Sequence, residues 1–307
     1  MALTVKATIN GTEYNLTLNT GTNKYEATVT APTASSYNNN TGHYFPVTVT
    51  ATDEAGNSSS ADDTHSSLGD SLKLFVKEKV APTITNVSPS NNANMPTSNP
   101  TISFKVLDNS NGQTSGYSGI DIDSLKLSVK GSSIPVTNIT KTAITGGYEC
   151  SYTPATALAD GNCTYTISVS DNDGNTSATT TTTFKIDTQP PKLNVADFDS
   201  AYTNSKTVVV SGTTSDETSS PVTITIKVGS KDQGSVTVNN DGTFSKTVTL
   251  ENGLNTITIV ATDTSDKKST VTKTITLKTD APTFKNVSIT PNPVDAGKTY
   301  VISVEVE

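Results

Sequence analysis

One motif, repeated three times, restricts this chain more than any other feature. An alternating strand runs into an aspartate and a short polar turn, and a second alternating strand follows. The copies are Val47-Thr-Val-Thr-Ala-Thr-Asp53-Glu-Ala-Gly-Asn57, Tyr165-Thr-Ile-Ser-Val-Ser-Asp171-Asn-Asp-Gly-Asn175 and Ile257-Thr-Ile-Val-Ala-Thr-Asp263-Thr-Ser-Asp266. The strands predicted after them are Leu72–Lys77, Thr182–Ile186 and Val271–Leu277. A side-chain period of two with turn residues between is the pattern of an antiparallel hairpin whose strands bury one face. No stretch of useful length carries a helical period.

A proline junction follows each hairpin: Val80-Ala-Pro82, Gln189-Pro190-Pro191 and Asp280-Ala-Pro282. Proline ends a strand and stiffens a linker. The intervals, Pro82 to Pro191 and Pro191 to Pro282, are each the length of one small sandwich domain. At 307 residues with 32% hydrophobic side chains and no Trp, the chain suits several small cores better than one large one.

The stretches "ATDEAGN", "LADGNCTYTISVSDNDGN" and "DGTFSKTVTLENGLNTITIVATD" resemble bacterial Ig-like and fibronectin-type repeats of Gram-positive surface proteins and phage tail proteins. The resemblance covers nearly the whole chain. It departs at Asp266-Lys267, which replaces the Gly-Asn turn, and at Cys163, where a tyrosine is usual. It implies an all-β fold of tandem immunoglobulin-like sandwiches strung as a rod, located outside the cell on a bacterial surface or a virion. It also implies a role as stalk, adhesin or carbohydrate-binding accessory. No signal peptide is read at residues 1–20, so export is expected to rely on a signal further upstream or on another route.

With strands lettered as in such sandwiches, residues 81–189 and 190–280 each supply a complete set. Residues 1–80 supply only C to G, with E at Lys24–Thr30, F at Phe45–Ala51 and G at Leu72–Lys77. Residues 281–307 supply only A and B. The two end segments together are about as long as the second domain. Two explanations stay open: a longer array cut between repeats, or donation of the terminal strand pair to the first domain of another copy, head to tail. In the donation reading Tyr300, Ile302, Val304 and Val306 face inward, toward a core that includes Val5, Leu16, Tyr25, Val47, Val49 and Phe75.

Net charge is −8, so no basic surface exists to displace counterions from nucleic acid, and no apolar run is long enough for a membrane helix. The histidines, His43 and His65, sit in polar loops without the flanking acids that a nucleophilic triad needs. No HExxH or CxxC is present, so the chain is expected not to be an enzyme and to hold no zinc.

Oxygen ligands bunch at Asp171, Asp173 and Asn175, with Asp187 beside the next junction. Calcium is the one ion worth weighing there, but Asp and Asn also make turns through their own backbone, and no high-affinity calcium site is expected. Asp280-Ala-Pro-Thr-Phe284 resembles the interdomain linker of cadherins, without the companion acidic motifs.

Two loops rich in Tyr and Asn, Thr33–Tyr44 and Asn109–Tyr117, put Tyr37, Asn39, Tyr44 and Tyr117 forward as candidates for stacking on a cell-surface glycan. A solvated loop explains them more simply. Cys150 in strand E and Cys163 before strand F are either a disulfide or two separate buried thiols.

Overall fold

The computed structural model describes residues 3–108 and 116–307, and within them the fold is all-β with two short 3-10 turns. No helix among the described residues is long and apolar enough to cross a membrane. Two compact units are formed by residues 1–187 and 188–307.

The first domain is a single sheet. Strands β1 (Thr4–Ile9), β2 (Thr12–Asn19), β3 (Lys24–Glu26), β4 (Phe45–Thr52) and β5 (Ser58–Ala61) run in the order β3-β2-β1-β4-β5, and β6 (Lys73–Leu74) pairs with the start of β4. Two expectations change here. The segment read as strand E shrinks to Lys24–Glu26 and pairs with β2, because no strand B exists among residues 3–80 to hold it in a second sheet. The strand read as G, Leu72–Lys77, is cut to Lys73–Leu74, and most of its place along β4 goes to an earlier segment. Ser58–Ala61 pairs with β4, the chain leaves the sheet over 62–72, and Lys73–Leu74 returns to Phe45 and Pro46. The cost shows in burial. Phe45 is the one hydrophobic side chain of the domain that is fully buried among the described residues, Val5, Leu16, Tyr25, Val47 and Val49 are half-buried, and Phe75 is 61% exposed.

The second domain is a two-sheet sandwich. One sheet contains β7 (Thr83–Ser88), β9 (Ile102–Leu107), β12 (Thr140–Ile144) and β13 (Gly147–Tyr152), ordered β12-β13-β9-β7. The other contains β8 (Asn94–Met95), β10 (Ile120–Val129), β11 (Ser132–Ile134), β14 (Gly161–Asp171) and β15 (Thr180–Ile186), ordered β11-β10-β14-β15-β8. The short edge strand beside β10 is Ser132–Ile134, and Val136–Asn138 after it forms a 3-10 turn. Alternation does what the period of two predicts: Cys163, Tyr165, Ile167, Val169 and Asp171 of β14 point inward, and the residues between them lie nearer solvent. Within β10 the ladder slips between Asp121 and Lys126. The Ser124 hydroxyl fills the gap, donating to Asp121 O at 2.6 Å and accepting from Ser170 N at 2.8 Å.

Cys150 and Cys163 are separate buried thiols in opposite sheets, not a disulfide. Burial pushes the Cys150 thiol up to about 11, which makes it a poor nucleophile.

The second unit holds a similar sandwich. The sheet β16 (Lys192–Val195), β18 (Thr207–Ser215), β21 (Thr243–Thr249) opposes a sheet of β17 (Tyr202–Thr203), β19 (Thr223–Val228), β20 (Lys231–Asp232), β22 (Gly253–Thr262) and β23 (Lys268–Leu277), ordered β17-β23-β22-β19-β20. Its core includes Val210, Ile226, Phe244, Ile257 and Ile259. Gly212 lies where β16 crosses β18: a Cβ there would stand 2.2 Å from Asn194 O, so a larger residue would push the strands apart. Beyond it, β24 (Phe284–Thr290) and β25 (Val301–Val306) pair only with each other, and every residue of both strands is exposed.

Tyr165 is fully buried, and its hydroxyl donates to Pro89 O at 2.7 Å, tying β14 to the turn after β7. Tyr165→Phe removes that donor and leaves a buried carbonyl unpaired. It should lower the stability of the second domain by about 1–2 kcal/mol, read as a lower denaturant midpoint. Leu254→Ala, on a side chain that is 72% exposed, should leave the midpoint in place.

Candidate functional site at the junction of the first two domains

The turn after β14 is built around Asp171. Its Oδ1 accepts the Asn175 backbone N–H at 2.8 Å, and its Oδ2 accepts the Asn175 amide Nδ2 at 2.7 Å. The first domain repeats the arrangement: Asp53 Oδ1 accepts Ala55 N and Asn57 N, and Oδ2 accepts Asn57 Nδ2, each at 2.9 Å. In the third copy Lys267 stands where the asparagine was. Asp263 Oδ1 keeps its backbone bonds to Ser265 and Lys267, but Oδ2 is left without a hydrogen-bond partner. The aspartates therefore do make turns, as residues that bond their own backbone should.

The second copy does more than turn the chain. The same Asn175 amide reaches Glu78 in the linker, donating to its backbone O at 3.1 Å and its Oε1 at 3.2 Å. Asp173 Oδ2 accepts Glu78 N at 3.0 Å, and Lys77 Nζ donates to Asp173 O at 3.2 Å. The loop of the first domain completes the contact. Ser35 N donates to Gly116 O at 2.8 Å, and Asn38 Nδ2 donates to Tyr117 O and Ser118 O at 2.9 and 3.1 Å.

Beneath this contact three carboxylates converge. Glu78, Asp108 and Asp171 are 8%, 3% and 2% exposed, and one oxygen of each lies within 4.8 Å of the other two. Asp108 follows β9; its Oδ2 accepts Gly119 N at 2.6 Å, and its Oδ1 is buried with no hydrogen-bond partner. None of the three makes an ion pair with a lysine among the described residues. Burial and the bond shared with Asp171 push Glu78 up to about 7, and burial raises Asp108 as well.

Of the candidates named from sequence, Asp171, Asp173 and Asn175 come together here, while Asp187 lies at the other end of β15. Glu78 and Asp108 were not among them. One signal was available: Glu78 stands four residues before Pro82, as Asp187 does before Pro191.

The glycan candidates are engaged in packing. The Tyr37 ring stacks on His43 with centroids 4.0 Å apart, Tyr44 Oη donates to Asp63 at 2.8 Å, and Asn39 Nδ2 donates to Tyr44 O at 2.9 Å. Tyr117 lends its carbonyl to Asn38. The remainder of the second loop, 109–115, lies outside the described residues. His43 Nδ1 is bonded to Tyr37 O, and His65 Nδ1 accepts from Ser67 N and Leu68 N.

Residues 97–188 match the family described as Bacterial Ig-like domain, and residues 191–279 match Glucodextranase, domain B. Residues 97–188 are thus similar to a bacterial Ig-like repeat. No curated protein matches it significantly. Among solved structures, the fibronectin(III)-like modules of Clostridium thermocellum CbhA align at 16% identity over 64% of this chain and 94% of theirs, with a TM-score of 0.37. Extracellular domains 3–5 of Drosophila OTK align at 12% over 90% and 85%, with a TM-score of 0.35. Immunoglobulin domains 1–4 of Sidekick-1 align at 13% over 89% and 67%, with a TM-score of 0.36. At this level of likeness they say nothing about ligand or partner.

Asn175→Ala removes the one amide that bonds both the turn and the linker. It should destabilise the junction by about 1–3 kcal/mol, and hydrogen exchange should rise at Glu78 and Val80 before it rises in β14.

Proposed function

We propose that this chain, built on bacterial Ig-like repeats, is a non-catalytic spacer of an extracellular surface fibre or phage tail, with an adhesive role open to its exposed ends. The observation that carries the reading is the junction itself. The first and second domains are joined by direct bonds from Ser35, Asn38, Lys77 and Asn175, so the linker is held rather than free. Holding neighbouring domains in register is what a spacer needs and a tethered catalyst does not.

A second reading has a specific observation in its favour. The match of residues 191–279 to a domain of a glucodextranase suits an accessory module of a larger polysaccharide-degrading enzyme. Native gels cast with soluble polysaccharides, dextrans included, separate the two. A spacer migrates unretarded in every gel; retardation by one polysaccharide, lost on removing residues 190–280, overturns the spacer reading for the accessory one.

The exposed hairpin extends the spacer reading to self-assembly. Phe284, Val287, Ile289, Val301, Ile302, Val304 and Val306 are all solvent-exposed, as is Tyr300, and a two-stranded ribbon alone is marginal in water. The first domain has one sheet where the others have two. The hairpin of one copy supplies the missing layer of another, with Tyr300, Ile302, Val304 and Val306 on the covered face. Light scattering after chromatography tests this: deleting 281–307 should abolish concentration-dependent association and lower the first unfolding transition. Unchanged association and melting would rule out strand donation.

A further inference from the structure

The exposed hairpin of β24 and β25 repeats a hairpin that the second domain uses in its core. Ala281-Pro-Thr-Phe-Lys-Asn-Val-Ser288 parallels Ala81-Pro-Thr-Ile-Thr-Asn-Val-Ser88, and Ile302-Ser-Val-Glu-Val306 parallels Ile102-Ser-Phe-Lys-Val106. The two hairpins also share a register. Ile84 lies opposite Val106 and Ser88 opposite Ser103; Phe284 lies opposite Val306 and Ser288 opposite Ser303, with a slip between the two pairs in both hairpins. Their surroundings differ. The second edge of β9 pairs with β13, and Ile102, Phe104 and Val106 are buried. The second edge of β25 is unpaired among the described residues, and Ile302, Val304 and Val306 are exposed.

The strand that receives β9 has a counterpart in the first domain. Tyr148-Glu-Cys-Ser-Tyr-Thr153 is matched by Tyr25-Glu-Ala-Thr-Val-Thr30, with the same apolar or aromatic alternation. In the second domain Tyr148, Cys150 and Tyr152 lie opposite Val106, Phe104 and Ile102. In the first domain only Lys24–Glu26 is a strand. It is held on β2 by three residue pairs and by bonds from Asn19 Nδ2 and Thr22 Oγ1 to the Glu26 carboxylate, at 2.8 and 2.9 Å. Residues 27–32 pair with no strand, and Val29 is 40% exposed. An extended segment that pairs with no strand is a template for one from another chain.

We propose that β25 of a second copy pairs antiparallel with residues 25–30 of the first domain, as β9 pairs with β13. This rests on the donation reading above, to which it adds the receiving strand. The register carries over residue for residue: Ile302 stands opposite Val29, Val304 opposite Ala27 and Val306 opposite Tyr25. Lys24–Glu26 leaves β2, and the apolar side chains of the new layer face Val5, Leu16 and Val49, which are half-buried on the first sheet. A ribbon that is marginal alone becomes part of a three-stranded layer. The register also sets one repulsion. Lys105 and Glu149 form an ion pair at 2.6 Å between β9 and β13, whereas the matching residues are Glu305 and Glu26. Like charges directly opposite one another weaken a strand pair.

The test mixes two full-length variants, one carrying Val29→Cys and the other Ile302→Cys. Side chains directly opposed on antiparallel strands are within reach of a disulfide. Cys150 and Cys163 are buried and stay out of the reaction. Mild oxidation should link the two variants as a mixed dimer. Ser303→Cys in place of Ile302→Cys, which puts the thiol on the opposite face, should lose the link. Glu305→Lys, at an exposed position, should tighten association by about two- to fivefold, and adding Glu26→Lys to it should cancel the gain. Association that needs residues 281–307 but gives no link between positions 29 and 302 and no response to Glu305→Lys would overturn the receiving strand while leaving donation in place. No association at all would overturn both.

Discussion

The carboxylate of Asp171 is the point on which the junction of the first two domains turns. It closes the loop between β14 and β15 by bonding Asn175 twice, and that asparagine in turn holds Glu78 of the linker. One side-chain pair therefore ends a hairpin, anchors a domain junction and leaves a carboxylate facing two others. The copies show how much depends on the asparagine. With Asn57 the first-domain turn has the same bonds, whereas with Lys267 the corresponding carboxylate oxygen in the third copy has no partner.

The cores follow a different logic, in which layers matter more than single bonds. The second and third domains bury alternate residues of facing sheets, and each has a contiguous core. The first domain has the same kind of alternating strands but only one sheet, so its apolar face is half covered. Periodicity produces a strand, but a second layer is needed to bury it. The exposed hairpin at 284–306 has the converse problem, with apolar side chains on both faces and no layer against either.

Chemistry in this chain is concentrated in connections. Loops that read as glycan-binding surfaces spend their tyrosines and asparagines on one another and on the neighbouring domain. The histidines do the same. A surface that holds domains together leaves fewer groups for a ligand, which is why the spacer reading weighs more than the adhesive one.

The sequence by itself determined the all-β class, the core strands of the second and third domains and the positions of the proline junctions. Each of these follows from local rules: a period of two buries Tyr165 and Ile167 while leaving their neighbours nearer solvent, and a proline cannot donate to the ladder of a central strand. It also identified Asp171 and Asn175 as a turn, because they bond within five residues of chain. The folding of Lys24–Glu26 back onto β2 was not legible, since a strand's partner is decided by which other strands exist to receive it. Nor was the carboxylate cluster, because Glu78 and Asp171 carry no pattern in common and meet only after β7 to β14 have closed a sandwich around them. Local periodicity sets what each segment is; only the packing of layers decides which distant charges must share one buried space.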